Sequence, residues 1–185
     1  MCLLLALAAV PMVGCESGSR SPYAADREVT RNPELARELN AKATQAMKDN
    51  PAEAERLLRD ALTADLYHGP AHNNLGILLL ARGDLYEAAG EFEWARKLMP
   101  GHPDPRVNLA LALERGGQIN EALIAYDAAL EVYPNYLPAL QGKSMLQVAN
   151  GLVDDSTRDA VEEIAMRGDA EWREWAQKMQ LRIER

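Results

Sequence analysis

Asn40, Asn74 and Asn108 stand 34 residues apart, each among small and apolar residues. A carboxamide carries one acceptor and two donors and no charge, so a row of them can hold the backbone of an extended peptide whatever its side chains. The other groups capable of chemistry form poorer sets. His68 and His72 are four apart, but Gly69-Pro70 between them breaks a shared helix. His68 and His102 share the last place of successive 34-residue windows, a loop position, with no third ligand type nearby in sequence, so they read as structural or surface residues. Cys2 and Cys15 are the only cysteines, which leaves the rest of the chain without a thiol for a disulfide, a zinc site or a nucleophile. No nucleophile elbow, phosphate loop or carboxylate pair stands out. The residues therefore point away from an enzyme, and no cofactor, metal or small-molecule substrate is expected.

The elements that must carry the asparagines follow from composition and period. The 185 residues are 48% hydrophobic but only 5% aromatic, rich in Ala and Leu and poor in runs of strand type. That favours helices. A net charge of −8 without a basic cluster argues against nucleic acid as a partner. Residues 69–102 align without a gap on 103–136, placing Leu75 on Leu109, Leu79 on Leu113, Gly83 on Gly117, Ala88 on Ala122, Phe92 on Tyr126, Ala95 on Ala129 and Pro100 on Pro134. The window 35–68 keeps Ala41, Ala54, Leu58 and Ala61 in register. Each half-window repeats its apolar residues at three and four, the mark of an amphipathic helix. Asn32-Pro33, Asn50-Pro51, Gly69-Pro70 and Asp84 with Glu87 are start signals, and Gly83 and Gly116-Gly117 are stops. Arg82-Gly83-Asp84 is thus read as a turn between helices, not as an adhesion motif.

These residues resemble the tetratricopeptide repeat, a helix-turn-helix of 34 residues. Gly76 and Ala110 match its small contact residue, Ala88 and Ala122 the alanine of its second helix, and Pro100 and Pro134 its terminal proline. The resemblance implies an all-α fold, a right-handed superhelical solenoid of antiparallel helix pairs. Three repeats are expected at 35–68, 69–102 and 103–136, within a unit spanning 33–136. A degenerate fourth repeat and a capping helix should follow at 137–185. There Ser156 with Asp159 reads as a capping box, and Trp172, Trp175, Ala176, Met179 and Ile183 form one apolar stripe that would seal the end of the stack.

In this family the first helix of each pair lines the concave face. Carried onto this chain, the groove would include Asn40, Asn73, Asn74 and Ile77, then Val107, Asn108, Leu111 and Arg115. A similar asparagine row runs along the repeats of O-linked N-acetylglucosamine transferases. Few basic residues line the groove, so it does not look like the carboxylate clamp of chaperone-binding repeats. A peptide or helix of another protein with apolar anchors is the implied partner.

The first residues, MCLLLALAAVPMVGCESGS, contain an apolar run too short to span a bilayer as a helix. MVGC resembles the lipobox of bacterial lipoprotein signals. That resemblance implies a signal peptide at 1–14, lipid on Cys15 and a flexible tether at 15–32. Glu16 after the cysteine points to the outer membrane of a two-membrane envelope. The whole then resembles the tetratricopeptide lipoproteins that assemble pilus secretins or recruit cell-wall hydrolases: a scaffold at the envelope. The alternative is a permanent accessory subunit of an envelope export, pilus-assembly or cell-wall enzyme complex.

Overall fold

The computed structural model describes residues 31–183. The segment expected to be a signal peptide, the lipid-acceptor Cys15 and nearly all of the tether lie outside the described residues. The described chain folds as α1 (Pro33–Ala46), α2 (Pro51–Ala64), α3 (Gly69–Arg82), α4 (Leu85–Leu98), α5 (Asp104–Arg115), α6 (Ile119–Val132), α7 (Leu137–Ala149), α8 (Asp155–Arg167) and α9 (Ala170–Ile183), with no strand among these residues. Consecutive helices pair as antiparallel hairpins, α1 with α2, α3 with α4, α5 with α6 and α7 with α8, and α9 closes on α8. This is an all-α repeat solenoid.

Local chemistry explains most boundaries. Asn32 and Asn50 accept from Leu35 N at 3.1 Å and Glu53 N at 3.3 Å, each followed by a proline that supplies no donor to the open first turn. Gly83 and Gly117 end α3 and follow α5 at φ 93° and 75°, a region that a side chain disfavours. Asp84 departs from the expected capping role. It makes no cap bond, because its carboxylate is drawn instead to Arg82.

The core explains the spacing of small and large residues. Gly76 lies under the Phe92 ring so closely that a β-carbon there would stand 2.6 Å from Cε1. In the next repeat Ala110 and Tyr126, both fully buried, occupy the corresponding places. One core of Leu, Ala and aromatic side chains runs from Ala36 to Leu146, and a second, smaller one holds Leu140, Ala160, Val161, Ile164 and Ala176. Trp172, Trp175, Met179 and Ile183 pack half-buried on that second core. The apolar stripe of α9 therefore seals the end of the stack.

The capping box of α8 is not Ser156 with Asp159. Asp154 Oδ1 accepts from Thr157 N at 2.9 Å, and Asp154 N donates to Thr157 Oγ1 at 3.1 Å. The cause is one extra residue in the turn. The buried residues of α6 are Ala122, Ala125, Tyr126 and Ala129, and those of α8 are Thr157, Ala160, Val161 and Ile164, each 35 residues on. The fourth pair is out of phase by one, and its Thr157 takes the place of the repeat's alanine.

Candidate peptide-binding groove

The inner layer of the solenoid is built by alternate helices. α1 packs on α3, α3 on α5 and α5 on α7, while their hairpin partners α2, α4 and α6 show no such packing on one another among the described residues. A stack held closer on one side curves toward it, so α1, α3, α5 and α7 form the concave face.

The asparagines on that face are partly buried and bonded across repeats. Asn74 Nδ2 donates to Asn40 Oδ1 at 2.9 Å and approaches Thr44 Oγ1 at 3.3 Å. Asn108 Nδ2 donates at 3.0 Å to Asn73 Oδ1 rather than to Asn74. The row is thus two linked pairs whose first task is to tie neighbouring inner helices. Asn74 and Asn108 each spend their amide nitrogen in this way and their carbonyl oxygens take no part in these bonds, while Asn40 and Asn73 spend their oxygen. The arrangement offers both acceptors and donors to a backbone.

The apolar members divide by depth. Ile77 and Leu111 are half-buried against the core and still accessible. Val107 is only 8% exposed, so it belongs to the wall beneath the groove and offers little surface for an anchor. Met145 on α7 is 46% exposed and extends the apolar floor into the fourth pair. Arg115 is exposed, but its Nη1 donates to Leu80 O at 3.1 Å, which satisfies the carboxyl end of α3. At the other rim Tyr136 Oη donates to Asp104 Oδ1; burial and this carboxylate push the phenol up to about 12. The groove is mainly neutral, with amide bonding groups beside aliphatic side chains.

Away from the groove, His72 and Asp65 have structural partners. His72 is fully buried, with Nδ1 2.6 Å from Glu91 Oε2, Nε2 2.8 Å from Leu66 O, and its ring stacked on Trp94. The sequence offered little sign of this pair, since Glu91 lies 19 residues on and only the hairpin joins them. Asp65, 4% exposed, takes Arg31 through both oxygens at 2.8 and 3.2 Å, and the guanidinium holds its carboxyl below the usual range. His68 precedes α3 half-buried and His102 is exposed in a loop. Among the described residues no three His, Cys, Asp or Glu side chains converge to hold a metal ion.

Residues 79–146 match the family model of the tetratricopeptide repeat. No curated protein matches the sequence significantly. Among solved structures, the first repeat domain of Spaghetti (RPAP3), bound to the HSP90 peptide SRMEEVD, superposes with a TM-score of 0.62 at 19% identity, covering 65% of this chain and 97% of that one. An O-GlcNAc transferase mutant of Thermobaculum terrenum gives 0.67 at 25% identity over 75% of this chain, which spans only 27% of that enzyme. MamA of Desulfovibrio magneticus RS-1 gives 0.56 at 20% identity, over 71% of each chain. With the 34-residue register, the buried alanines and the stacked hairpins, these matches show tetratricopeptide repeats over residues 79–146 within an all-α solenoid of the same fold.

Proposed function

We propose that this protein is a non-enzymatic scaffold that binds a segment of another protein in the concave groove, held at a bacterial envelope through lipid on Cys15. The observation that carries the binding role is the groove itself: amides of Asn40, Asn73, Asn74 and Asn108 beside Ile77, Leu111 and Met145 on one continuous inner layer. The repeat domain of RPAP3, alike in fold, was solved with a peptide bound. That likeness supports a groove used for peptides. The groove of this chain is mainly neutral between Arg115 and Asp104, which suits an extended segment or helix with aliphatic anchors. The envelope address rests on the MVGC stretch and the polar residues after it.

Photo-crosslinking in intact cells tests the binding face. A crosslinking amino acid at Ile77 or Leu111 is expected to trap a discrete partner, and one at the outer-face residue Glu131 is not. Adducts formed only from Glu131 would overturn the groove reading. Metabolic labelling with a palmitate analogue tests the anchor separately: label on the wild type and none on Cys15→Ala is expected, and an unlabelled wild type would end the lipoprotein reading.

A further inference from the structure

The outer, convex side carries a cleft of about 380 Å³ between α4 and α6, floored by α5. The groove one repeat earlier is plugged. There Trp94 stacks on His72 with ring centroids 5.7 Å apart, and Glu91 bonds the imidazole. The residues 34 places on are Ala128, Arg106 and Ala125. Two large side chains have become alanine, and the buried imidazole has become a guanidinium. The cleft is open because the repeat changed at these three positions.

Its two ends differ. Arg96, in the last turn of α4, and Arg106, in the first turn of α5, stand at one end, and Glu121, in the first turn of α6, stands at the other. Leu109, Leu113 and Ile124 line the length between, and Ile124 is 67% exposed. Arg96 meets Glu93 at 2.7 Å through Nη2, yet its Nε is buried without a hydrogen-bond partner. Arg106 donates to His102 O at 2.9 Å. Burial and the neighbouring Arg96 hold the Arg106 guanidinium below its ordinary value, with Glu131 opposing. The arginine end thus sets two guanidiniums close together, opposed by Glu93 and Glu131, with the Arg96 Nε left without a partner. A monoanion placed there gains charge-assisted hydrogen bonds and relieves the repulsion.

We propose that this outer cleft binds a medium-chain alkyl carboxylate, its carboxylate between Arg96 and Arg106 and its chain on Leu109, Leu113, Ile124 and Ala128. The span from Arg106 to Leu113 along α5 is about 10 Å at the helical rise, a length an octyl chain matches. The volume lies at the small end of ligand pockets, which run from about 300 to 1,000 Å³. The site is separate from the concave groove and does not depend on it.

Calorimetric titration of the full chain with octanoate at low salt tests the proposal. Saturable one-site binding is expected, with octanol and octylamine weaker by roughly tenfold or more for want of a carboxylate. Arg106→Gln is expected to weaken octanoate by roughly tenfold. Ala128→Trp, which rebuilds the plug that Trp94 forms one repeat earlier, is expected to abolish binding with the helical circular-dichroism signal retained. Ile124→Asp, at an exposed position, should weaken octanoate through charge without touching the core. Equal binding of octanol, or octanoate binding unchanged in both Ile124→Asp and Arg106→Gln, would overturn the proposal. So would failure of octanoate to bind where a peptide ending in leucine does.

Discussion

At the scale of single residues, the stack is held by close approaches that tolerate little added volume. Gly76 sits against Phe92, and Gly142 is crowded in the same way by the Tyr126 ring. Gly76→Val is expected to lower stability by about 1–3 kcal/mol through overpacking, read by urea denaturation. Phe92→Leu in that background should return part of the loss, since it frees the space the valine needs. The inter-repeat amides act more gently. Asn74→Ala removes its bonds to Asn40 and Thr44 and should cost about 1 kcal/mol, measured in the same way. A loss of this size leaves the variant folded, so partner affinity can be measured on it directly. The asparagine row could be seen in the sequence as a period. That Asn108 turns to Asn73 rather than Asn74 could not, because the choice depends on how far one inner helix slides along the next.

At the scale of elements, α8 and α9 show how the solenoid ends. The Asp154 carboxyl is lowered to about 2 by Ser156 and by the Thr157 backbone and hydroxyl. A depressed carboxylate stabilises the fold above its unfolded value of about 3.9 and loses that contribution as pH falls through the folded one. Asp154→Ala should therefore cost about 1 kcal/mol at neutral pH, as a lost cap does. The gap between wild type and variant should close between roughly pH 4 and pH 2, seen in melts at a series of pH values. Trp172 and Trp175 meet edge-on with centroids 5.5 Å apart over the second core. Trp172→Ala is expected to cost about 2 kcal/mol, less than a fully buried tryptophan because the ring is half-buried. If the variant kept full stability and lost only partner capture, α9 would be a binding helix and not a cap.

At the scale of the whole molecule, a chain of hairpins in contact only with neighbours has no single closing interaction, and stability varies along it. The larger core spans α1 to α7, and the smaller one joins α7, α8 and α9. Native-state hydrogen exchange should therefore find the amides of α3 to α6 slowest and those of α9 fastest, with α8 between. Uniform protection across all helices would mean that the two cores unfold as one. The same architecture gives the molecule two unlike faces. The inner one is continuous because its helices touch. The outer one is a series of separate grooves whose contents change with each repeat, filled by Trp94 and His72 in one and open beside Ala128 and Arg106 in the next.

By itself the sequence determined the helix pairs and their register. Apolar periodicity, Asn-Pro starts and glycine stops are local signals, and a 34-residue repeat multiplies them. It also marked the alanine and glycine places where helices would touch. Its reach ends where one residue enters the turn before α8, because a strict 34-residue period does not survive a shift of phase, and the capping role that the pattern gives Ser156 belongs to Asp154. Depth, pairing and shape belong to the tertiary structure alone. Val107 and Leu111 look alike on the inner face of one helix, yet one is wall and the other surface. His72 found Glu91, and Asp84 turned to Arg82 rather than to its helix. The depth of Val107 depends on packing between repeats, which no single 34-residue window contains, whereas the His72–Glu91 pair forms when one hairpin closes and the Arg82–Asp84 pair forms within its turn.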